Sequence, residues 1–416
     1  TETPVSTETA GNTETKPGDG GTQENTGTSE TTGDAGEPAN ESTTSENSNP
    51  GSDVTPVEIA KGKIGQTKWS EQVQGTVRSI ALSPDEKTIY VTGSTLTAFN
   101  AETGDELWTA VRPMGKELSA PVLGASGLIY FTSDNNDLIA FSTRSKRSQW
   151  TFDTKKPAHH FPPAVTSDET VYVVSGEVLY AVKNGSGTWT TNYSILGGAA
   201  SGPVVAKDGT IYLCGKDKQL HAVKPDGTGK WTKSVGKEAC RTPSIDSDGT
   251  VYVGGDKLYA FKPDGTSKWL PQGQFGAVTT SIIIHGQYLY FGTFKGKLFK
   301  VTKSDGQKAG GLWSDGYAAT VTGGIDYAPT IGASGLIYLG HPGLALESIS
   351  PDRPRARWNI KTAKPISGYA TIAKTGLLYV GTESGTIFAV RTESPGLARS
   401  PWPRGLKDNQ NSSSHK

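Results

Sequence analysis

The sequence predicts an all-β protein: an eight-bladed propeller of four-stranded antiparallel blades, closed by an N-terminal strand added to the last blade. Three columns of residues, in phase with one another, predict it. A strand tyrosine recurs at Tyr90, Tyr130, Tyr172, Tyr212, Tyr252, Tyr290, Tyr338 and Tyr379, at spacings between 38 and 48 residues. Nine residues earlier stands a proline or small residue: Ala81, Pro121, Pro163, Pro203, Pro243, Ser281, Pro329 and Ala370. Eight to ten residues later comes a third column that is mostly alanine, as at Ala98, Ala140, Ala181, Ala222, Ala260 and Ala389. A repeat of about 40 residues with short apolar alternations between Gly/Asp/Pro turns is the pattern of a propeller blade. A helical solenoid of that period would need longer segments with 3.6-residue periodicity, which are missing here. One blade cannot bury both its faces, so it stacks on neighbours and the ring closes.

Residues 1–60 stand apart. Thr, Ser, Gly, Glu, Asn and Pro dominate them, and no aromatic residue appears before Trp69. The first 58 residues carry twelve acidic side chains against one lysine, Lys16, and the neutral total of 41 basic and 41 acidic residues hides that imbalance. The body is therefore basic by eleven charges. A segment this polar cannot offset its ordering entropy by burial, and the expectation is a disordered acidic linker. The propeller is expected over residues 64–404, and 405–416 are expected to be a flexible tail. No stretch is apolar enough to span a bilayer as a helix. The chain opens in linker as a mature exported protein would, and a lipid anchor ahead of residue 1 would account for such a leader.

Tryptophans set the closure. Trp108, Trp150, Trp189, Trp231, Trp269, Trp313 and Trp358 each precede the next tyrosine by 21 to 25 residues, and Trp69 precedes Tyr90 by 21. Trp69 thus occupies the outer-strand slot of a blade that has no earlier strands, which places it on the eighth. Trp402, between two prolines, makes a poor ladder strand and falls outside the repeat.

The segment AFNAETGDELW, Ala98 to Trp108, resembles the tryptophan-docking segment of the quinoprotein-like (PQQ-repeat) propellers, with Asn100 where aspartate is usual. AVKPDGTGKW (Ala222–Trp231) and AFKPDGTSKW (Ala260–Trp269) are similar to shortened versions of it. The resemblance implies that the eight phased tryptophans wedge between neighbouring blades. It also implies two functional branches: PQQ- and calcium-dependent dehydrogenases, and non-enzymatic scaffolds such as the BamB-like outer-membrane assembly lipoproteins. The dehydrogenase branch carries adjacent cysteines against its cofactor, whereas here Cys214 and Cys240 lie in separate repeats. The scaffold branch is the nearer one. No cofactor is expected and no residue carries over as a cofactor ligand.

The remaining chemistry is sparse. Asp-Gly pairs such as Asp248-Gly249 and Asp264-Gly265 are what tight hairpin turns require. None of the six histidines has metal-ligand spacing, and no nucleophile–histidine–acid set can be drawn, so a non-catalytic protein is expected. Cys214 ends the second strand of one blade and Cys240 enters the first strand of the next, on the same face, which leaves a disulfide open.

Just ahead of the inner strands the repeat gives way to unlike side chains: Arg78, His160, Phe161, Arg241, Asp326, Tyr327 and Tyr369. These are the candidate binding residues, forming a polar rim at one mouth of the central channel. The expected partner is an envelope protein, with a cell-wall polymer as the alternative. The basic clusters lack interleaved aromatics, so nucleic acid is not expected. Membrane association is expected only through an N-terminal anchor, the protein is expected at the periplasm or cell surface, and a monomer is expected.

Overall fold

The computed structural model describes residues 62–110, 117–157, 161–189, 193–195, 197–238, 240–318, 324–341 and 345–415. The linker expected over 1–60 and the candidate His160 lie outside them. Among the described residues, eight antiparallel sheets follow in chain order, one per repeat. The propeller is built as its sequence columns predict.

Each column is one rung across a blade. In blade 1, Ala81 of the inner strand Ile80–Leu82 pairs with Tyr90 of Thr88–Thr92. Tyr90 pairs with Ala98 of Leu96–Asn100, and Ala98 with Trp108 of Glu106–Thr109. Blades 2, 4 and 7 repeat the rung through Tyr130–Ala140–Trp150, Tyr212–Ala222–Trp231 and Tyr338–Ser348–Trp358. The third position is small because the tyrosine and tryptophan rings meet above it. Eight Tyr–Trp pairs have centroids between 5.5 Å (Tyr212–Trp231) and 6.4 Å (Tyr252–Trp269). Such tilted contacts add to the burial that holds the rungs.

The tryptophans also reach the following blade. Trp69 Nε1 donates to Ala101 O, Trp189 Nε1 to Pro225 O, Trp231 Nε1 to Pro263 O and Trp313 Nε1 to Pro351 O. A turn glycine of that next blade lies flat on the indole. A Cβ on Gly227, whose φ is +85°, would sit 2.8 Å from the Trp189 ring. The glycine therefore supplies both positive φ and close approach.

The ring closes as expected. Thr67–Gln72 pairs antiparallel with Thr386–Arg391, and Trp69 stands opposite Ala389 as the outer residue of the rung in blade 8. Blade 5 departs from the pattern. Its ladder has three strands, and the fourth position is reduced to isolated bridges Phe261–Ser267 and Leu258–Gln272. Pro271 in Trp-Leu-Pro-Gln cannot donate to a ladder, which explains the break. Leu270 is left 81% exposed there. Cys214 and Cys240 form a disulfide between blades 4 and 5, with Cα atoms 5.6 Å apart.

The C-terminal segment overturns one expectation. Residues 405–415 do not hang free; Leu406, Asn411, Ser412, Ser413 and Ser414 are buried, as are Trp402 and Arg404. The inner strand of every blade is a sheet edge facing the channel, and such an edge needs a partner. The tail supplies it. Leu82, Leu123, Val165 and Val205 donate their N–H groups to the carbonyls of Asn409, Gln410, Ser412 and Ser413, at 2.8 to 3.2 Å. Trp402 stays outside the repeat yet has no exposed surface, and its carbonyl accepts from Ile284 N.

Candidate functional site: the mouth of the channel

The segments leading into the inner strands converge at the opposite end of the channel. Arg78 precedes Ile80–Leu82, Phe161 precedes Ala164–Val165, and Arg241 precedes Ser244–Ile245. Asp326 and Tyr327 precede Thr330–Ile331, and Tyr369 precedes Thr371–Ile372. All six line a single cup of about 240 Å³. These six come from five different blades, so their meeting depends on the ring being closed.

Sequence reasoning missed the rest of the wall. Ala120, Pro162, Ala200, Thr242, Thr279 and Ser281 line the cup beside the charged residues. Leu406 of the tail lines it too, so the channel is blocked by the chain's own end. Nothing local in Arg-Gly-Leu-Lys announces this. Behind Leu406, Arg404 is wholly buried and its Nη2 donates to Tyr369 O (3.1 Å) and Ser79 Oγ (3.1 Å). Gly405 is required there, because a Cβ would lie 2.0 Å from the Tyr369 ring.

The cup gathers charges of both signs, from Arg78, Arg241 and Asp326. Arg78 Nη2 is held by Glu117 Oε2 at 2.7 Å, while its buried Nε has no partner among the described residues. Arg241 faces the cup without a carboxylate salt-bridge partner among the described residues, and Asp326 without a cationic one. Burial lowers the pKa of Arg404 to about 10, which leaves it charged at neutral pH. Tyr327 and Tyr369 meet edge to face, with centroids 5.9 Å apart and planes at 86°. Burial pushes the Tyr327 phenol up to about 12, with Tyr369 reinforcing and Arg78 opposing the shift. Burial raises Tyr369 as well, against the pull of Arg404 and Arg241. Both phenols are therefore neutral donors at physiological pH. Two guanidinium groups and two phenols around a small concavity suit an acidic group.

A family model described as "Outer membrane protein assembly factor BamB" matches residues 52–195 and 175–395. The chain belongs to that BamB family. No curated protein matches it. Among solved structures, BamB from Moraxella catarrhalis superposes with a TM-score of 0.62 at 15% identity, covering 79% of this chain and 100% of that one. The computationally designed Ika8 protein superposes with a TM-score of 0.64 at 11% identity, covering 77% and 98%. At such identities the likeness is one of fold. A designed ring and a natural BamB share the architecture, so the fold by itself does not assign a function.

Proposed function

We propose that this BamB-family propeller is a non-catalytic, exported scaffold that docks an acidic segment of an envelope protein into the mouth of its channel. The observation that carries the reading is the convergence of Arg78, Arg241, Tyr327 and Tyr369, from four different blades, on one small cup in which the Arg241 guanidinium has no carboxylate salt-bridge partner among the described residues. Blade residues repeat because the same packing recurs in every blade; Arg78 and Arg241 break that repeat, and no recurring blade contact calls for a guanidinium there. The disulfide between Cys214 and Cys240 fits an oxidising compartment and fixes the segment that carries Arg241. A cell-wall polymer has less support as the ligand. The edge-to-face tyrosines offer no open flat face on which a sugar ring could stack.

The test is a photo-crosslinking amino acid placed at Arg241 and, as a control, at Thr151 on the exposed outer edge of blade 2. The scaffold reading expects one discrete envelope protein to be captured from position 241 and not from 151. Arg78→Glu should abolish that capture. Equal capture at both positions, or capture indifferent to Arg78→Glu, would sink the mouth as the docking site.

A further inference from the structure

We infer that the far end of the channel is a peptide-binding site, and that residues 396–415 are its resident ligand. The donors are made by the repeat and the acceptors by a segment that does not repeat. One residue per blade, six to eight positions ahead of the strand tyrosine, directs its backbone into the channel. Leu82, Leu123, Val165, Val205, Ile284 and Ile331 each donate an N–H to a tail carbonyl. Blade 8 bonds through a side chain: the Asn409 amide accepts from Ile372 N (3.3 Å) and donates to Ile372 O (2.8 Å), as a strand residue would. Blade 5 bonds through His415 Nε2, 3.1 Å from Ile245 O. The segment therefore engages every blade and comes full circle, with Trp402 and His415 in ring contact at 5.8 Å.

Recognition of this segment rests on three points. Arg404 enters the hub, where Nη1 donates to Asp408 O (2.7 Å) and Asn411 Oδ1 (2.6 Å) while Nη2 reaches blades 1 and 8. Gly405 passes beneath the Tyr369 ring, where no side chain fits. Asn411 Nδ2 donates to Pro121 O at 2.7 Å, locking the segment to blade 2. The ligand class follows: an extended polar segment with arginine at the hub, glycine after it, and asparagines five and seven residues on. No covalent bond ties the segment to the channel. A cavity of about 980 Å³ borders it through Asp408, Asn409, Gln410 and Ser412, so its outer side is open for departure. Each backbone group it leaves behind loses its partner in a confined channel, and that drives rebinding.

The experiment keeps the full chain. A protease site is inserted after Pro395, which is exposed, and the folded protein is nicked there. The fragment from Gly396 to Lys416 is then exchanged against the same peptide carrying a fluorophore. The expected result is a folded nicked ring that takes up one labelled peptide per molecule. A peptide with Arg404→Met should bind about 100-fold more weakly, and one with Gly405→Val should not bind, since charge-assisted hydrogen bonds lost at a buried site cost at least that much. Three results would overturn the inference. The fragment could never exchange, the ring could unfold when it leaves, or the Arg404→Met peptide could bind as well as the parent. The first two make the segment a permanent part of the core, and the third removes its basis of recognition.

Discussion

The two ends of the central channel are made by the same eight inner strands and work in opposite ways. At the mouth, side chains meet: Arg78, Phe161, Arg241, Asp326, Tyr327 and Tyr369 differ from blade to blade and enclose a cup. At the far end, backbone meets backbone, and the blades contribute near-equivalent N–H groups whatever their side chains are. The mouth can therefore change its chemistry by substitution without disturbing the ring. The far end can change only by altering the segment that fills it.

That contrast can be broken by making one substitution at both ends. Arg404→Met strands four hydrogen-bond acceptors in the hub and should cost about 4 kcal/mol, read from the denaturant midpoint. Removing the inter-blade disulfide, by Cys214→Ala with Cys240→Ala, should cost about 3 kcal/mol for a loop of this length. The same loss should appear when the parent protein is reduced. It would also loosen the segment that carries Arg241, so partner capture should weaken with it. Arg241→Met at the mouth should move stability by no more than about 0.5 kcal/mol while abolishing partner capture. Equal costs at Arg404 and Arg241 would erase the distinction between the two ends.

The smallest effect concerns acid. Burial lowers the pKa of His415 in the folded protein, against the pull of its bond to Ile245 O. The unfolded chain then takes up the proton first. The stability His415 lends is complete above about pH 6.5 and declines as pH falls below it. The melting temperature should drop between pH 7.5 and 5.5, and His415→Gln should flatten part of that slope. His285 in blade 6, also lowered by burial and by Lys300, contributes in the same sense, so the slope should not vanish.

Legibility in the sequence follows the same divide. The rung Tyr90–Ala98–Trp108 could be read because its members lie close along the chain and recur eight times. Trp69 could be placed on the last blade because it kept phase with the others. Arg78, Arg241 and Tyr369 could be picked out because they break a column. Leu406 and Arg404 could not. The blade groups they meet lie far off in the chain, as Arg404 to Ser79 shows, and a run such as Asn-Gln-Asn-Ser-Ser-Ser reads as solvated chain. Its order comes from vacant backbone edges elsewhere, which leave no mark in its own composition. Blade 5 misled: the repeat's regularity argues for four strands, and only the structure shows Pro271 taking the fourth away.

The strand Thr67–Gln72 on blade 8 determines how the ring responds to force. Tension applied to the chain at residue 62 reaches the ring first at Gly65 and Gln66, both bonded to Arg391, then at Thr67, paired with Val390, and ends at Gln72, paired with Thr386. Such a load peels the ladder pair by pair from one end instead of shearing it all at once. The seam that opens is at the perimeter, while the ties at the axle lie outside the load path and still join the last blade to the first five. In an optical trap the first rupture should release only one strand's length of chain and reverse on relaxation, giving the wheel a compliant rim around a locked hub.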